Sequence, residues 1–416
     1  MPAAAEPLVD LAAEDRTRSG GPHDDALARR NATVLAVAQA LAGGNNTVIV
    51  ATTSIAGAMF APDKGLATLP ITMMVIGMWA GTLPIGYLAR ARGRRFALQA
   101  GSAFGVLSGF LSCAAVLYGS FLLLLAGTFS GGLYAAAHLS YRFAAADTAS
   151  EAFRPKAVAY VLAGGVFAGL IGSQLVIFTK DLWPPYLFAA TYLAQSAAAL
   201  LAALVLMLVR IPRPQPVTQS GSGRPLREIA RAPRFIAAVV CGVVAYATMN
   251  MMMTSAPLAM VDCGLTVTDA SLGIQWHVIA MYGPSFFTGS LILRFGTLPV
   301  ITAGIALLLS AALAGLSGLT VGHFWIALIL LGTGWNLAFV GATTLVTECH
   351  RPEERNKVQA FNDFLVFGSM AVASLASGKI LATFGWSFVN EVFFPMTALA
   401  ALALLWLARR ERAAAA

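Results

Sequence analysis

Met249 and Met253 stand four residues apart, as do His277 and Met281. In a helix that spacing puts both members of a pair on one face, one turn apart. A thioether is a soft, uncharged ligand, and imidazole is among the few nitrogen ligands that hold copper well. Thioethers together with one imidazole therefore describe a Cu(I) site. Met251 and Met252, inside the same run, read as fillers of apolar gaps. Cys241, eight residues before Met249, falls on roughly the same face and reads either as a further soft ligand or as an inert buried thiol. Met59 and Met73 are secondary metal candidates; with Met74 and Met78 they form a cluster that core packing explains more simply.

The elements that must position these residues are membrane helices. Of 416 residues, 58% are hydrophobic and 11% charged, with a mean hydropathy of +0.74, far from the averages of soluble domains. Apolar stretches of spanning length fall near 32–60, 67–89, 96–117, 120–141, 157–178 and 186–209, then near 235–261, 270–293, 297–317, 322–345, 358–380 and 388–408. The fold expected is an all-α integral membrane protein of 12 transmembrane helices in two six-helix pseudo-repeat halves. The divisions expected are a disordered cytoplasmic tail 1–30, an N-terminal half 31–209, a cytoplasmic linker 210–234 rich in Pro and Arg, a C-terminal half 235–408 and a tail 409–416.

The halves repeat in sequence. Gly86 and Gly93 recur as Gly289 and Gly296 at an offset of 203, and Asp147, Arg154 and Lys156 recur as Glu348, Arg355 and Lys357 at an offset of 201. Such duplication implies a cavity between halves and a substrate moved by rocking. All but Lys64, Lys180 and Lys379 of the 27 Lys and Arg residues lie on one side, which predicts both termini in the cytoplasm of a bacterial inner membrane. The net charge of +8 then reflects lipid headgroups, not nucleic acid.

Depth supports a joint site. Met253 and His277 each lie about eight residues below the outer surface, on the order of 12 Å, and Met249 and Met281 one turn deeper. His277 is also the residue best placed to carry a proton, since the spans nearly lack carboxylates. His138, near the inner end of the fourth span, reads as snorkelling or as an outlying release site. Asn45 and Asn46 beside Gly43 and Gly44 read as exposed carbonyls or polar glue. Cys113, Cys241, Cys263 and Cys349 have no zinc-like spacing, and no phosphate-cradling G-x-x-x-x-G-K-[ST] occurs. The chain therefore reads as a secondary transporter or channel and not as an enzyme, with no cofactor.

The run G-Y-L-A-R-A-R-G-R-R, Gly86 to Arg95, resembles the loop signature of the major facilitator superfamily. That family usually has an acidic residue where this chain has Arg90, so the resemblance implies an altered inter-half gate. Its expected partners are Arg90 or Arg94 with Asp363. The paired Met and His-Met motifs resemble the CcoA-like copper importers, which supply cytochrome oxidase assembly; a related branch looks like bacterial riboflavin importers. The resemblance implies copper import by alternating access, with Met249, Met253, His277 and Met281 as ligands, the lipid bilayer as surroundings and a cytoplasmic copper acceptor. The alternative is riboflavin or another flat solute stacked on Trp79, Trp276, Tyr246 and Tyr282; a receptor that moves neither is the third class.

Overall fold

The computed structural model describes residues 25–147, 149–150, 153–211, 223–351 and 354–415. Among them there is no strand. The helices are α1 (Asp25–Phe60), α2 (Leu69–Arg92), α3 (Arg94–Tyr118), α4 (Phe121–His138), the short α5 (Tyr141–Ala146), α6 (Arg154–Thr179) and α7 (Ala189–Leu206) in the first half. The second half has a short α8 (Leu226–Ile229), then α9 (Pro233–Asp262), α10 (Val267–Tyr282), α11 (Ser285–Phe295), α12 (Thr297–Leu316), α13 (Val321–Thr347), α14 (Arg355–Glu391) and α15 (Phe393–Ala415).

Ten of the described helical segments are long and apolar enough to cross a bilayer. Two breaks bring the count to twelve. Pro284, which has no N–H to continue a helix, separates α10 from α11, and the pair makes one span bent by 42°. The last segment runs 57 residues, which as a straight helix would reach about 85 Å against a hydrocarbon core of roughly 30 Å. It turns at Gly385, whose φ of 77° and ψ of −177° are open to glycine alone. Arg234 Nε at the start of α9 then donates to Glu411 Oε1 at 2.7 Å near the end of α15, so the chain comes back to the side from which α9 sets out.

The repeat seen in sequence is a repeat of backbone shape. Gly93 (φ 93°, ψ 155°) ends α2 and starts α3; Gly296 (φ 87°, ψ 162°) ends α11 and starts α12 in the same way. Arg94 after the first turn pairs with Asp147, and Thr297 after the second donates to Glu348 Oε1 at 3.4 Å. Spans approach closely where glycine removes a side chain: a Cβ on Gly132 of α4 would lie 2.0 Å from the Met74 carbonyl of α2.

Two domain expectations change at their edges. Helix α1 already begins at Asp25 and α15 continues to Ala415, so 25–30 and 409–415 are helical. Residues 1–24 lie outside the described residues, as do 212–222 of the linker. The linker's described end is fastened to the second half. Arg224 donates through Nε (3.0 Å) and Nη2 (2.9 Å) to the fully buried Glu354 carboxylate, which also accepts from the Arg224 and Arg351 backbone N–H groups.

Side-chain hydrogen bonds join the halves on one side, and farther along Trp79 of α2 meets Phe364 of α14 with ring centroids 5.8 Å apart. Thr72 Oγ1 of α2 donates to Ser374 Oγ of α14 at 3.0 Å, and Gln174 Nε2 of α6 donates to Gln275 Oε1 of α10 at 2.8 Å. An apolar cluster seals the same region, joining Val48, Ile49 and Ile55 of α1 to Met253 of α9 and to Ile274 and Val278 of α10.

Two tests follow from this packing. Alanine at Gly93 or Gly296 is expected to cost about 1–3 kcal/mol, because the φ/ψ region is nearly exclusive to glycine. Thermal unfolding of the detergent-solubilised variants measures it, with the double variant lower than either single one. Arg224 and the two N–H groups hold the Glu354 carboxyl well below its usual 4.5, so its stabilisation is present above that pH and lost as pH falls toward the lowered value. Glu354→Gln should therefore melt at lower temperature than the parent at neutral pH, with the gap narrowing as the buffer is acidified below pH 4.5.

Candidate functional site

On the side opposite the seal, between the halves, a cavity of about 490 Å³ opens toward the two termini. Its second-half wall is aromatic. Trp335 and Phe339 of α13, four residues apart, stack with centroids 5.2 Å apart and planes 16° apart. Tyr246 of α9 sets its ring edge-on to both, at 5.1 Å from Trp335 and 4.6 Å from Phe339, and Phe367 of α14 adds a third contact to Tyr246 at 5.8 Å. Rings held in this way offer a flat slot with a fixed opening.

Polar groups converge on the slot. Gln39 reaches it from α1 and Gln359 and Asn362 from α14, while Arg142 of α5 and Asp363 of α14 bring opposite charges from the two halves. Tyr282 and Ser285 enter at the α10–α11 break. Close approach of α6 at Gly165 makes room for the Tyr282 ring, which a Cβ there would meet at 2.8 Å. Asn336 splints the break. Its Nδ2 donates to the Met281 carbonyl and to Ser285 Oγ, each at 2.7 Å, and its Oδ1 accepts from Thr288 at 2.6 Å.

The residues singled out as metal ligands are placed elsewhere, and none of the four lines the cavity. Met249 is buried in the core of the second half, Met281 packs partly buried against the same core, and Met253 belongs to the apolar seal between halves. His277 is fully buried and faces α13, with Nδ1 2.9 Å from the Leu328 carbonyl oxygen. Cys241 lies in the second-half core, Met59 is half exposed at the C-terminal end of α1, and Met73 is partly buried. Among the described residues no group of three or more His, Cys, Asp or Glu could hold a metal.

The expected gate is also rearranged. Arg94 is engaged by Asp147 of its own half (Nη2 to Oδ1 3.1 Å), Asp363 faces the cavity, and among the described residues neither Arg90 nor Arg94 pairs with it. Of the four aromatics expected to line the cavity, Tyr246 and Tyr282 do so, whereas Trp79 and Trp276 lie outside its lining, partly exposed, with Trp79 against Phe364 of α14. Sequence reasoning missed Arg142, Trp335, Phe339 and Asn336. A signal was there for the last three: W-N-x-x-F within an otherwise apolar span places an amide beside two stackable rings.

The sequence matches the Major Facilitator Superfamily over residues 35–369 and again over 241–416. It is 43% identical to the riboflavin transporter RfnT of Brucella anthropi, over 94% of this chain and 99% of that one. It is 28% identical to YddS, an uncharacterized MFS-type transporter of Bacillus subtilis, over 85% of this chain and 86% of that one. Among solved structures it resembles a D-xylose-proton symporter (TM-score 0.70, 15% identity, 91% of this chain and 96% of that one). A further match is the nucleoside transporter NupG (TM-score 0.69, 14% identity, 92% and 99%).

The match to a riboflavin transporter along nearly its whole length overturns the expectation of copper import, and with it the copper substrate, the cytoplasmic copper acceptor and the link to cytochrome oxidase assembly. The Met and His spacing is real, but i, i+4 spacing sets only that two side chains share a face, not which way the face points. With its hydrogen bond to Leu328, His277 fastens α10 to α13. His277→Ala should therefore lower the unfolding temperature, the hydrogen bond contributing about 0.6–1.7 kcal/mol. Added Cu(I) should leave the melting curves of both proteins unmoved; a copper-induced rise in the parent alone would restore the metal reading.

Proposed function

The chain belongs to the major facilitator superfamily, and from that premise we propose that it imports riboflavin, or a solute of the same flat tricyclic shape, across a bacterial inner membrane by alternating access. The observation that carries this reading is the 43% identity to RfnT over 94% of the chain. The cavity supports it. Its volume of about 490 Å³ falls within the range of pockets that enclose small organic ligands.

The chemistry of the lining fits the solute. An isoalloxazine ring is flat and apolar at its dimethylbenzene end, polar at its pyrimidinedione edge, and carries a chain of hydroxyls. Trp335, Phe339 and Tyr246 supply faces and edges for the ring. The amides of Gln39, Gln359 and Asn362 can each donate and accept at once, which suits a pyrimidinedione edge and hydroxyls alike.

In the orientation supported by the Lys and Arg asymmetry, both termini are cytoplasmic and the cavity opens inward. Rocking the halves would break the Thr72–Ser374 and Gln174–Gln275 contacts and close the cavity at its inner rim. Met249, Met281 and His277 then act as fixed packing within the second half, and Met253 as part of the outer seal.

Uptake of radiolabelled riboflavin by a riboflavin-requiring bacterium expressing this chain tests the reading. Uptake should exceed that of the empty vector and be insensitive to copper. Trp335→Ala should raise KM by roughly 5- to 150-fold, since losing one aromatic stacking partner costs about 1–3 kcal/mol. Vector-level uptake by the well-expressed parent would sink the proposal.

A further inference from the structure

Both ring nitrogens of His138 are buried at the inner end of α4 with no hydrogen-bond partner among the described residues, beside the buried hydroxyls of Tyr134 and Tyr141, which interact with one another and with Ser102. The three side chains are 5%, 1% and 0% exposed, and the imidazole lies edge-on to each phenol ring at 6.3 Å. Buried polar groups are nearly always satisfied, so a ring left open calls for a guest that can both donate and accept: water, or a proton. His277 differs in degree: that ring is equally buried, but its Nδ1 is engaged by Leu328 and only its Nε2 is left open. His138 moreover lines the transport cavity.

The groups around His138 make its affinity for a proton depend on the gap between the halves. From its own half, α3 presents the Ser102 hydroxyl to the neighbouring phenols, α1 brings the Gln39 amide to the cavity, α2 packs Met78 against Ala135 and Ala136, and α6 lines the cavity with Val161 and Leu162. The nearest charge is Arg142, four residues further on, which opposes a second positive charge. Across the cavity stand the phenols of Tyr246 and Tyr282 and, on α14, Arg355 and the Asp363 carboxylate. Asp363 is the one carboxylate in the cavity lining. It is exposed in this inward-open state, where Asn362 Nδ2 donates to it at 3.2 Å and Arg142 acts on it from across the cavity.

We propose that His138 is the coupling proton site of this transporter. With the inner rim closed, Asp363 approaches the α4–α5 wall and supplies the countercharge for an imidazolium, which takes its proton from outer water. When the rim opens, Asp363 withdraws, Arg142 remains, and the proton leaves to cytoplasmic water along with the solute. One proton enters and one leaves, and no other reactant is needed. The direction and the solute rest on the import reading above; the proton site itself does not.

The test has two arms. In proteoliposomes an inward pH gradient should drive riboflavin accumulation by the parent. In His138→Gln that accumulation should fall by roughly 5- to 150-fold, the span of ordinary coupling free energies, while riboflavin–riboflavin exchange persists. Asp363→Asn, altered at an exposed position, should show the same uncoupling and serves if His138→Gln does not fold. The second arm uses no solute: a Val340→Cys thiol in the cavity wall is labelled by maleimide between about pH 8 and pH 6. Labelling should fall at low pH beyond the thiol's own titration in the parent background, and follow that titration alone with His138→Gln or Asp363→Asn. If the parent moves no riboflavin yet labelling depends on His138, the import reading falls and the proton site stands. Gradient-driven accumulation retained by both variants, loss of exchange together with accumulation, or a labelling profile indifferent to His138 and Asp363 would each overturn the proton site.

Discussion

Hydrocarbon offers a peptide group no hydrogen-bond partner, so each departure from helix inside this bundle has to be answered by a side chain from a neighbour. At the Pro284 break, Asn336 reaches over from α13 to the freed Met281 carbonyl and to Ser285. Past the Gly385 turn the traffic runs outward: the Trp386 indole donates to the Gly315 carbonyl near the end of α12 at 2.9 Å, while Asn390 Nδ2 of the same helix donates to the Trp386 carbonyl at 2.8 Å. The first of these splints sits one residue from Trp335. The wall that stacks a solute and the bond that holds the broken span are therefore one stretch of α13, and neither can shift without the other.

Spans and duplication were legible because they rest on strong, additive signals. Twenty apolar residues must cross, and a Gly at the same point of each half must do the same job. The pairs Gly93/Gly296 and Asp147/Glu348 proved to share backbone angles and a common partnership with the residue that starts the following helix. That second correspondence pairs Arg94 with Asp147 and leaves no latch between Arg94 and Asp363.

The site was harder to read. Methionine is a good soft ligand and an equally good filler, and in a chain that is 58% hydrophobic the filler role has many takers. What separates the two is helix rotation, which depends on packing against several spans at once. Met251 and Met252, set aside as core, and Met249, favoured as a ligand, ended in the same cluster. Arg142 escaped notice for the opposite reason. It lies where a loop was expected, and only the short α5 turns it into the cavity.

The side-chain hydrogen bonds that tie the halves together at the seal are hydroxyl to hydroxyl, hydroxyl to backbone carbonyl and amide to amide, and no ion pair joins the halves there among the described residues; Lys64 and Asp262 act on one another only at longer range. The inner rim, by contrast, carries Arg142, Arg355 and Asp363. Dissolved ions weaken attraction between charges and leave neutral bonds almost untouched. A bacterium controls the composition of its cytoplasm far better than that of its surroundings. In the orientation proposed above, with both termini cytoplasmic, the door facing the weather is fitted with a latch that brine or acid barely alters, while the electrically sensitive one opens onto the medium that the cell itself regulates.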